Sequence, residues 1–380
     1  LVYLWNMSAP GLIDRAGNLK GTDFLHFYTL GSLALAHRGS DLYNMRAQAE
    51  IAAQRVPAAA GIRYLPLYPP QVSILFAPFA RLSYPLALTT WLALSALIYG
   101  LCCYFVWRAC PDLRNYGFTV LVLAFAFPAF WHLIAWGQTS ALALAFFVLA
   151  FFALRKQREF LAGLAFGCLV FKPQFGLAVA IVFLITFRWK IIAGALLSAV
   201  TEFVVAWLYY GPAPLWEWFH TLLNIPSVLP LLEPKPYQTH CLRTFWTMLV
   251  PAPSVSFALY VITAVVVAGF TIACWRSRMP LSLQYSALLL STVLLAPHLT
   301  VYDLVILAPA FLLVADWLIA ELGNAAPHLK VLLCLAFTLP LFGPLARWTH
   351  FQLSVPVMAA LLYVIWATGR NSVSLATQGD

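Results

Sequence analysis

The sequence predicts an all-α integral membrane protein, and two observations carry that prediction. Of the 380 residues, 63% are hydrophobic and only 9% are charged, with a mean hydropathy of +0.85. A chain of this composition cannot fold in water without exposing apolar surface, so the bilayer is its solvent. The lysine and arginine clusters recur between long apolar stretches, which is typical of cytoplasmic loops.

The basic clusters set the predicted topology. Five of them are interpreted as inner connections: 108–114, 155–158, 188–190, 276–278 and the loop that ends at Lys330. Each apolar stretch between two clusters must then cross the membrane out and back. The predicted spans are 85–107, 117–133, 138–154, 159–172, 174–187, 191–210, 253–275, 281–297, 303–320, 329–345 and 353–368. Residues 1–8 are expected to end one more span, which gives about 12 spans in a single polytopic domain, 1–380, with cytoplasmic termini.

Two features depart from regular spans. The segment 69–82 is too short to cross alone and contains Pro78 and Arg81, so we expect a re-entrant or interfacial helix. Glu202 falls in the middle of a predicted span, where an internal hydrogen bond would satisfy its carboxylate.

Two predicted outer segments are long enough to be structured. The first outer loop, 9–70, contains the amphipathic stretches 22–38 and 42–55, which are expected to be interfacial helices lying on the membrane surface. The second outer loop, 211–245, is rich in proline and tryptophan, and tryptophan prefers the headgroup layer.

Missing motifs exclude several classes of protein. The sequence has no phosphate-binding Gly-rich loop with Gly-Lys-Ser/Thr, no Gly-x-Gly-x-x-Gly, no His-Glu-x-x-His and no Asp-x-Asp pair. An ATP-driven pump or a nucleotide-sugar enzyme is therefore disfavoured, and a donor should be supplied within the membrane. The seven cysteines lack the spacing of a zinc or redox site. The net charge of +9 is spread over loops, which disfavours nucleic-acid binding and favours membrane lipids or phosphate as partners.

Asp23 is the first candidate for chemistry. It begins the amphipathic stretch 22–38, just past the first apolar segment. One interpretation is a helix-end carboxylate that the helix macrodipole favours. The other is a general base that accepts the proton of a sugar hydroxyl as a bond forms.

Two further segments carry ionisable residues on the predicted outer face. Lys172 lies between two apolar helices and precedes Pro173, so it either binds phosphate at a helix start or snorkels to the interface. His298 follows another apolar span and could donate to a phosphate or sugar oxygen. Tyr302 and Asp303 could orient it or bind hydroxyls, or they could merely cap the next helix.

Other outer polar residues are weaker candidates, since a solvated or packing role competes for each of them. They are Asp41, Arg63, Tyr64, Tyr68, Gln138, His240, Arg243, Arg347 and His350.

Six segments, taken in order along nearly the whole chain, resemble glycosyltransferase family eighty-seven of the GT-C superfamily. That family includes the mycobacterial polyprenol-phosphate-mannose-dependent α-1,2-mannosyltransferase of phosphatidylinositol mannoside synthesis. The segments are Gly21-Thr22-Asp23-Phe24 with Phe27-Tyr28, Asp41-Leu42-Tyr43, Tyr68-Pro69-Pro70, Trp136-Gly137-Gln138-Thr139-Ser140, Phe171-Lys172-Pro173-Gln174 and Pro297-His298 with Tyr302-Asp303.

The resemblance implies a GT-C type multi-helix bundle that works as an inverting glycosyltransferase. By this likeness a polyprenyl-phosphate sugar is the donor, a lipid or glycan hydroxyl is the acceptor, and a hexose such as mannose or a pentose such as arabinofuranose is moved. The active site would face the periplasm or exterior of a bacterial inner membrane, in a monomer without cofactor or metal. Asp23 would be the base, and Lys172 and His298 would bind the donor phosphate. Substrate contacts would come from His26, Tyr28, Asp41, Tyr64, Tyr68, Gln138, Gln174, Arg243, Tyr302 and Asp303.

Two other functions compete with this one. A transporter or flippase of lipid-linked sugars would also need an outer cavity, a cation for phosphate and many spans. Transporters often show internal repeats, which the sequence lacks. An enzyme that transfers a whole glycan, as a ligase or polymerase does, would need more headspace between the outer segments.

The topology is testable by cysteine labelling. We expect Lys156 and Arg276 in the cytoplasm and Lys20 and Lys235 outside, because only this arrangement places all five basic loops inside. Single cysteine substitutions at these positions, made in a background lacking Cys241, should react accordingly with an impermeant thiol reagent. Labelling of Lys156→Cys from outside intact cells would contradict the arrangement.

Overall fold

The structure is helical throughout the part of the chain that it describes. This computed structural model describes residues 2–225, 233, 235–322 and 327–376. Pro226, Pro230 and Pro234 of the second outer loop, and residues 323–326 of the last inner loop, lie outside the described residues. Within those residues the only extended pairings are isolated bridges, between Ile13 and Leu19 and between Thr239 and Thr300.

The first half of the chain forms helices close to the predicted positions. They are α1 Val2–Met7, α2 Thr22–Leu35, α3 Met45–Arg55, α4 Gln71–Ala80, α5 Tyr84–Arg108, α6 Gly117–Ala126, α7 Pro128–Trp136, α8 Ser140–Arg155, α9 Glu159–Gly167 and α10 Gly176–Ile185.

The second half continues in the same way. Its helices are α11 Trp189–Tyr210, α12 Ala213–Leu223, α13 Leu242–Leu249, α14 Pro253–Arg276, α15 Leu281–Leu295, α16 Ala308–Trp317, α17 Pro327–Thr338, α18 Ala346–Thr349 and α19 Ser354–Ala376.

Among the described residues, five stretches are long and apolar enough to cross a membrane. They are Tyr84–Arg108, Trp189–Tyr210, Pro253–Arg276, Val301–Ala320 and Pro327–Thr349. The predicted span 117–133 is instead a helix pair bent by 48°, where Pro128 starts α7 and interrupts the backbone bonding that would continue α6. Counting this pair gives up to six spans, beside shorter apolar helices of 10–17 residues. A multi-pass membrane protein is thus confirmed, whereas the predicted number of about 12 spans is not.

The chain divides into two compact units. Unit 1 comprises Leu1–Ile98, Trp131–Ala141 and Leu197–Pro234, and unit 2 comprises Tyr99–Phe130, Leu142–Leu196 and Lys235–Asp380. Each unit is therefore assembled from segments that are distant in sequence.

In unit 1, α2 packs along the short helix α4. A Cβ on Gly31 of α2 would lie 2.4 Å from the carbonyl oxygen of Phe76, so the two backbones approach as closely as glycine allows. Phe24 and Phe76 are fully buried and both contact the ring of Trp91. The helix is buried from Phe24 to Leu30 without interruption, which differs from the predicted surface helix: contact with α4 and α5 covers the face expected to meet water.

The side chain of Glu202 in α11 is hydrogen-bonded inside unit 1. Gln71, at the start of α4, donates its Nε2 to Glu202 Oε2 over 3.2 Å. This confirms the internal hydrogen bond predicted for Glu202, and it joins α4 to α11. The segment 69–82 is indeed a short helix that ends at Ala80, before Arg81.

In unit 2, α15 is the central helix. Its residues from Tyr285 to Leu295 are all buried. Tyr285 donates its hydroxyl to the carbonyl oxygen of Phe147 in α8 over 2.5 Å, and Ser291 shares a 2.6 Å hydrogen bond with Thr271 of α14. These bonds satisfy hydroxyl groups that would otherwise be costly in an apolar core.

Candidate active site

Asp23 lies in the first turn of α2, where it meets Gln138. Its Oδ2 accepts a 2.7 Å hydrogen bond from Gln138 Nε2. The carboxylate is half-buried, and its position at the helix N-terminus favours negative charge. The hydrogen bond from Gln138 therefore orients the carboxylate of Asp23.

The amide of Gln138 is itself oriented by two donors. Its Oε1 accepts from the Tyr68 hydroxyl over 3.3 Å and from the Thr139 backbone N–H over 3.2 Å. With the oxygen engaged in this way, the NH₂ group must point at Asp23. A hydrogen-bonded chain thus joins Tyr68, Gln138 and Asp23. All three were predicted candidates, but the sequence did not predict that they contact one another.

Gly137 explains why the Trp136-Gly137-Gln138 sequence brings the amide to α2. It has φ of +70°, and a Cβ at this position would lie 2.7 Å from Cβ of Phe24. Only glycine combines that backbone conformation with so close an approach. Trp91 fixes the turn further, since its Nε1 donates to the Gly137 carbonyl oxygen over 2.9 Å.

His26 is one helical turn beyond Asp23 and forms an aromatic stack with Tyr64. The two rings are nearly parallel, with centroids 4.7 Å apart, and Tyr68 meets His26 edge-on at 5.7 Å. Tyr64 donates its hydroxyl to the carbonyl oxygen of Thr22, so the stack lies beside the first turn of α2. Burial and the nearby Asp23 carboxylate raise the pKa of Tyr64, which keeps this donor protonated.

The imidazole of His26 is neutral and incompletely bonded. It is 5% exposed, and burial lowers its pKa from 6.5 to about 3. Its Nε2 is buried and has no hydrogen-bond partner among the described residues. Such an atom costs about 1–3 kcal/mol, a cost that a hydrogen bond with a water molecule or with a ligand would remove, and the predicted substrate contact of His26 stays a prediction.

Two predicted substrate contacts of unit 1 are engaged elsewhere. Tyr28 donates its hydroxyl to Leu82 and accepts from Arg55, each over 2.8 Å, and it is almost fully buried. Asp41 pairs with Arg38 over 2.6 Å at an exposed turn. Neither residue contacts Asp23 through these bonds, and their substrate-binding roles stay predictions.

Lys172, in unit 2, forms a buried ion pair with Asp303. The Nζ–Oδ1 distance is 2.8 Å, and the two side chains are only 3% and 2% exposed. Lys172 lies between two short 3₁₀ turns, the second of which starts at Pro173 as predicted. The ammonium also faces the rings of Tyr302, at 5.2 Å, and Phe175, at 5.6 Å, which adds cation–π attraction.

Asp303 holds its own turn as well as the lysine. Its Oδ2 accepts from the Thr300 backbone N–H over 3.3 Å, and the two residues form a capping box at the start of the 3₁₀ segment Val301–Leu307. The capping role considered from the sequence is therefore present, together with an ion pair that sequence spacing did not reveal. Because neither charge has water, removal of one partner would strand the other.

The segment from Pro297 to Thr300 brings two further candidates near this turn. Arg243 donates its Nε to the carbonyl oxygen of Pro297 and is 9% exposed. His240 donates its backbone N–H to the carbonyl oxygen of Leu299 over 3.0 Å, next to the half-buried His298. These two contacts place Arg243 and His240 beside the loop that contains His298. All three residues belong to unit 2.

Gln174 lies half-buried in the turn after Lys172, and its substrate contact stays a prediction. The described residues contain no group of three or more His, Cys, Asp or Glu side chains arranged to hold a metal ion. The expectation that the reaction needs no metal stays a prediction.

The apolar helices define a multi-pass membrane protein. A buried ion pair lies among them. The family model of Glycosyltransferase family 87 matches residues 67–297, which is more than half of the chain. The protein belongs to that family and is a membrane glycosyltransferase. The match contains Gln138 and Lys172, whereas Asp23, His298 and Asp303 lie outside it. No curated protein and no solved structure gives a significant match.

The burial of neutral His26 predicts a pH dependence of stability. Its pKa of about 3 in the folded state lies below the 6.5 of an exposed histidine, so the unfolded state binds the extra proton. The stabilisation is fully present above pH 6.5 and is lost as the pH falls toward 3. Between about pH 7.5 and 5 the free energy of unfolding should fall by about 2 kcal/mol.

Denaturation in detergent at the two pH values measures this loss. His26→Phe keeps a ring against Tyr64 and should remove most of the pH dependence. His220→Phe, at an exposed site on α12, should leave it as in the parent. Equal losses in the parent and in His26→Phe would show that His26 is not the titrating group.

Proposed function

We propose that the protein transfers a single sugar from a polyprenyl phosphate to a hydroxyl of a lipid or glycan, with inversion at the anomeric carbon. The observation that carries this proposal is the Asp23–Gln138 hydrogen bond in a member of a membrane glycosyltransferase family. A lipid-borne donor also agrees with an apolar chain that has no nucleotide-binding motif. The reaction is assigned to the non-cytoplasmic face of a bacterial inner membrane, which the predicted topology favours.

The environments of two carboxylates support Asp23 as the base. Asp303 is engaged in a buried ion pair with the ammonium of Lys172 at 2.8 Å, so its carboxylate already has a structural role. Asp23 accepts a 2.7 Å hydrogen bond from the amide of Gln138, which orients its carboxylate at the first turn of α2. Two carboxyl groups in such different surroundings are suited to different tasks.

In the proposed reaction the acceptor hydroxyl gives its proton to Asp23 while its oxygen attacks the anomeric carbon. The bond from that carbon to the phosphate oxygen breaks, and its electron pair stays on the polyprenyl phosphate. A single displacement of this kind inverts the anomeric centre. The leaving group carries its charge already, so it needs cations and no general acid.

Lys172 and His298 are the proposed phosphate contacts. Lys172 gives one of its three N–H donors to Asp303, and the pair as a whole is neutral. Asp303 would therefore orient the ammonium, and His298 and Arg243 on the adjoining segment would add positive charge or hydrogen bonds. Mannose or arabinofuranose is the proposed sugar class.

Replacing Asp23 by Asn tests the base. Asparagine keeps the size of aspartate and can accept from Gln138 but cannot take a proton. Turnover should fall by about 10²–10⁴-fold, while binding of the donor changes little. Single-turnover transfer and donor binding, measured on one preparation with polyprenyl-phosphate mannose and arabinofuranose, check this.

Glu50→Gln is the matched control, because it makes the same chemical change at a carboxylate that is 65% exposed on α3. It should keep parental turnover. If Asp23→Asn retains more than about a tenth of the parental activity, the loss is smaller than removal of a general base should cause. Asp23 would then be only a helix-end residue.

A double-mutant cycle tests Lys172. Lys172→Met alone would strand buried Asp303 and should destabilise the protein by about 3–5 kcal/mol. Lys172→Met combined with Asp303→Asn removes both charges, so most of the stability should return. If Lys172 binds phosphate, the pair variant still loses about 10- to 150-fold in kcat/KM for the donor, as for a lost hydrogen bond to a charged group.

The two readouts separate folding from donor use. Thermal denaturation reports whether the pair variant regains stability, and initial rates at low donor concentration report kcat/KM. Recovery of both quantities in the pair variant would show that Lys172 serves only to neutralise Asp303.

A further inference from the structure

A groove lies at one end of unit 2, between α14 and α19. Its volume is about 430 Å³, and its lining residues are Gly269, Ile272, Ala273, Arg276, Ser277 and Trp366. This volume is within the range of sites that bind small molecules. The groove belongs to neither cluster described above, and the glycosyl transfer gives it no role.

The wall formed by α14 is one helix face. Positions 269, 272, 273 and 276 follow the i, i+3, i+4, i+7 spacing that aligns side chains. Gly269 and Ala273 make this face shallow, and a Cβ on Gly269 would meet no atom within 4 Å. Trp366 of α19 closes the other side and contacts Phe270, with ring centroids 4.9 Å apart. The part of the groove beside Gly269 is therefore an apolar slot. No side chain of the described residues fills it.

The other end of the groove carries a fixed positive charge. Arg276 donates its Nη2 to the carbonyl oxygen of Ile185 over 3.0 Å, which holds the guanidinium in place. Arg276 forms no ion pair with any residue that the structure describes. Its remaining N–H groups can therefore bind an anion, and Arg binds phosphate oxygens well because its donors form a planar fork.

We infer that this groove binds one anionic phospholipid, with its phosphate on Arg276 and an acyl chain along Gly269 and Ala273. Three features of the groove select this occupant. An apolar slot matches an acyl chain, an oriented arginine at its end matches a phosphate, and the indole of Trp366 suits the headgroup boundary. Positive loops at Arg276 are predicted to face the cytoplasm, where anionic lipids are bound by basic pockets between helices.

Native mass spectrometry of the purified protein in detergent tests this inference. Dioleoyl-phosphatidylglycerol and dioleoyl-phosphatidylcholine are titrated separately, and the apparent Kd of the first bound lipid is compared. The phosphatidylglycerol should bind at least about tenfold more tightly, because phosphatidylcholine carries a choline cation that offsets the phosphate charge facing Arg276. Equal affinities for the two lipids would overturn the inference.

Two pairs of variants locate the site. Arg276→Gln should weaken phosphatidylglycerol binding by about tenfold or more, whereas Arg278→Gln, an exposed arginine outside the lining, should stay within about twofold of the parent, as is usual for a screened surface charge. Equal losses in both variants would mean that the lipid senses only the positive loop, which contradicts the assigned site.

The second pair concerns the acyl slot. Gly269→Leu would fill the slot without meeting protein atoms at its Cβ, and it should weaken binding even though Arg276 remains. Gly100→Leu places the same side chain on α5, also at a glycine with open space, and should bind as the parent does. Parental affinity in Gly269→Leu would show that the lipid does not occupy this groove.

Discussion

A polar group buried inside this protein is costly unless it finds a partner within the chain, because both the packed helices and the bilayer exclude water. The described contacts satisfy this constraint at the points where helices are broken. Gln138, between α7 and α8, bonds Asp23 of α2. Lys172, between two 3₁₀ turns, pairs with Asp303 at the start of another. Gln71, at the start of α4, bonds Glu202 in the middle of α11.

These pairs stabilise the irregular segments. A break in a membrane helix leaves backbone groups without partners and is tolerated only where protein surrounds it. Here the breaks also carry Gln138 and Lys172, which belong to the proposed chemistry. The bond from Gln138 fixes the carboxylate of Asp23 before any substrate arrives, and such preorganisation lowers the cost of reaching a transition state. The Nε2 of His26 is the complementary case, a buried polar atom that has no hydrogen-bond partner among the described residues.

Much of this arrangement was predictable from the sequence, for physical reasons that differ by element. Long apolar segments and basic clusters predict spans, so helices such as Tyr84–Arg108 and Pro253–Arg276 lie where expected. The short helix α4 was also predictable, because Pro78 and Arg81 limit its length. The burial of α2 was not predictable, because an amphipathic pattern does not show whether another helix will cover the more polar face of α2.

The sequence predicted the individual candidate residues but not which of them contact each other. Asp23, Gln138, Lys172 and Asp303 were all candidates, yet the sequence does not show that Gln138 meets Asp23 or that Asp303 meets Lys172. The two members of each pair are 115 and 131 positions apart, and helix periodicity carries no information over such separations. The available signal was energetic: opposite charges isolated in apolar surroundings are costly unless they meet.

The central claim, that this protein breaks the sugar–phosphate bond of a lipid-linked donor, is tested most directly by following that bond. Purified protein is given a polyprenyl-phosphate sugar labelled in both sugar and lipid, together with a lipid acceptor, and the products are separated. The account predicts free polyprenyl phosphate in equal amount to a glycosylated acceptor whose anomeric configuration is inverted. Recovery of the donor intact, or transfer with retained configuration, would contradict it.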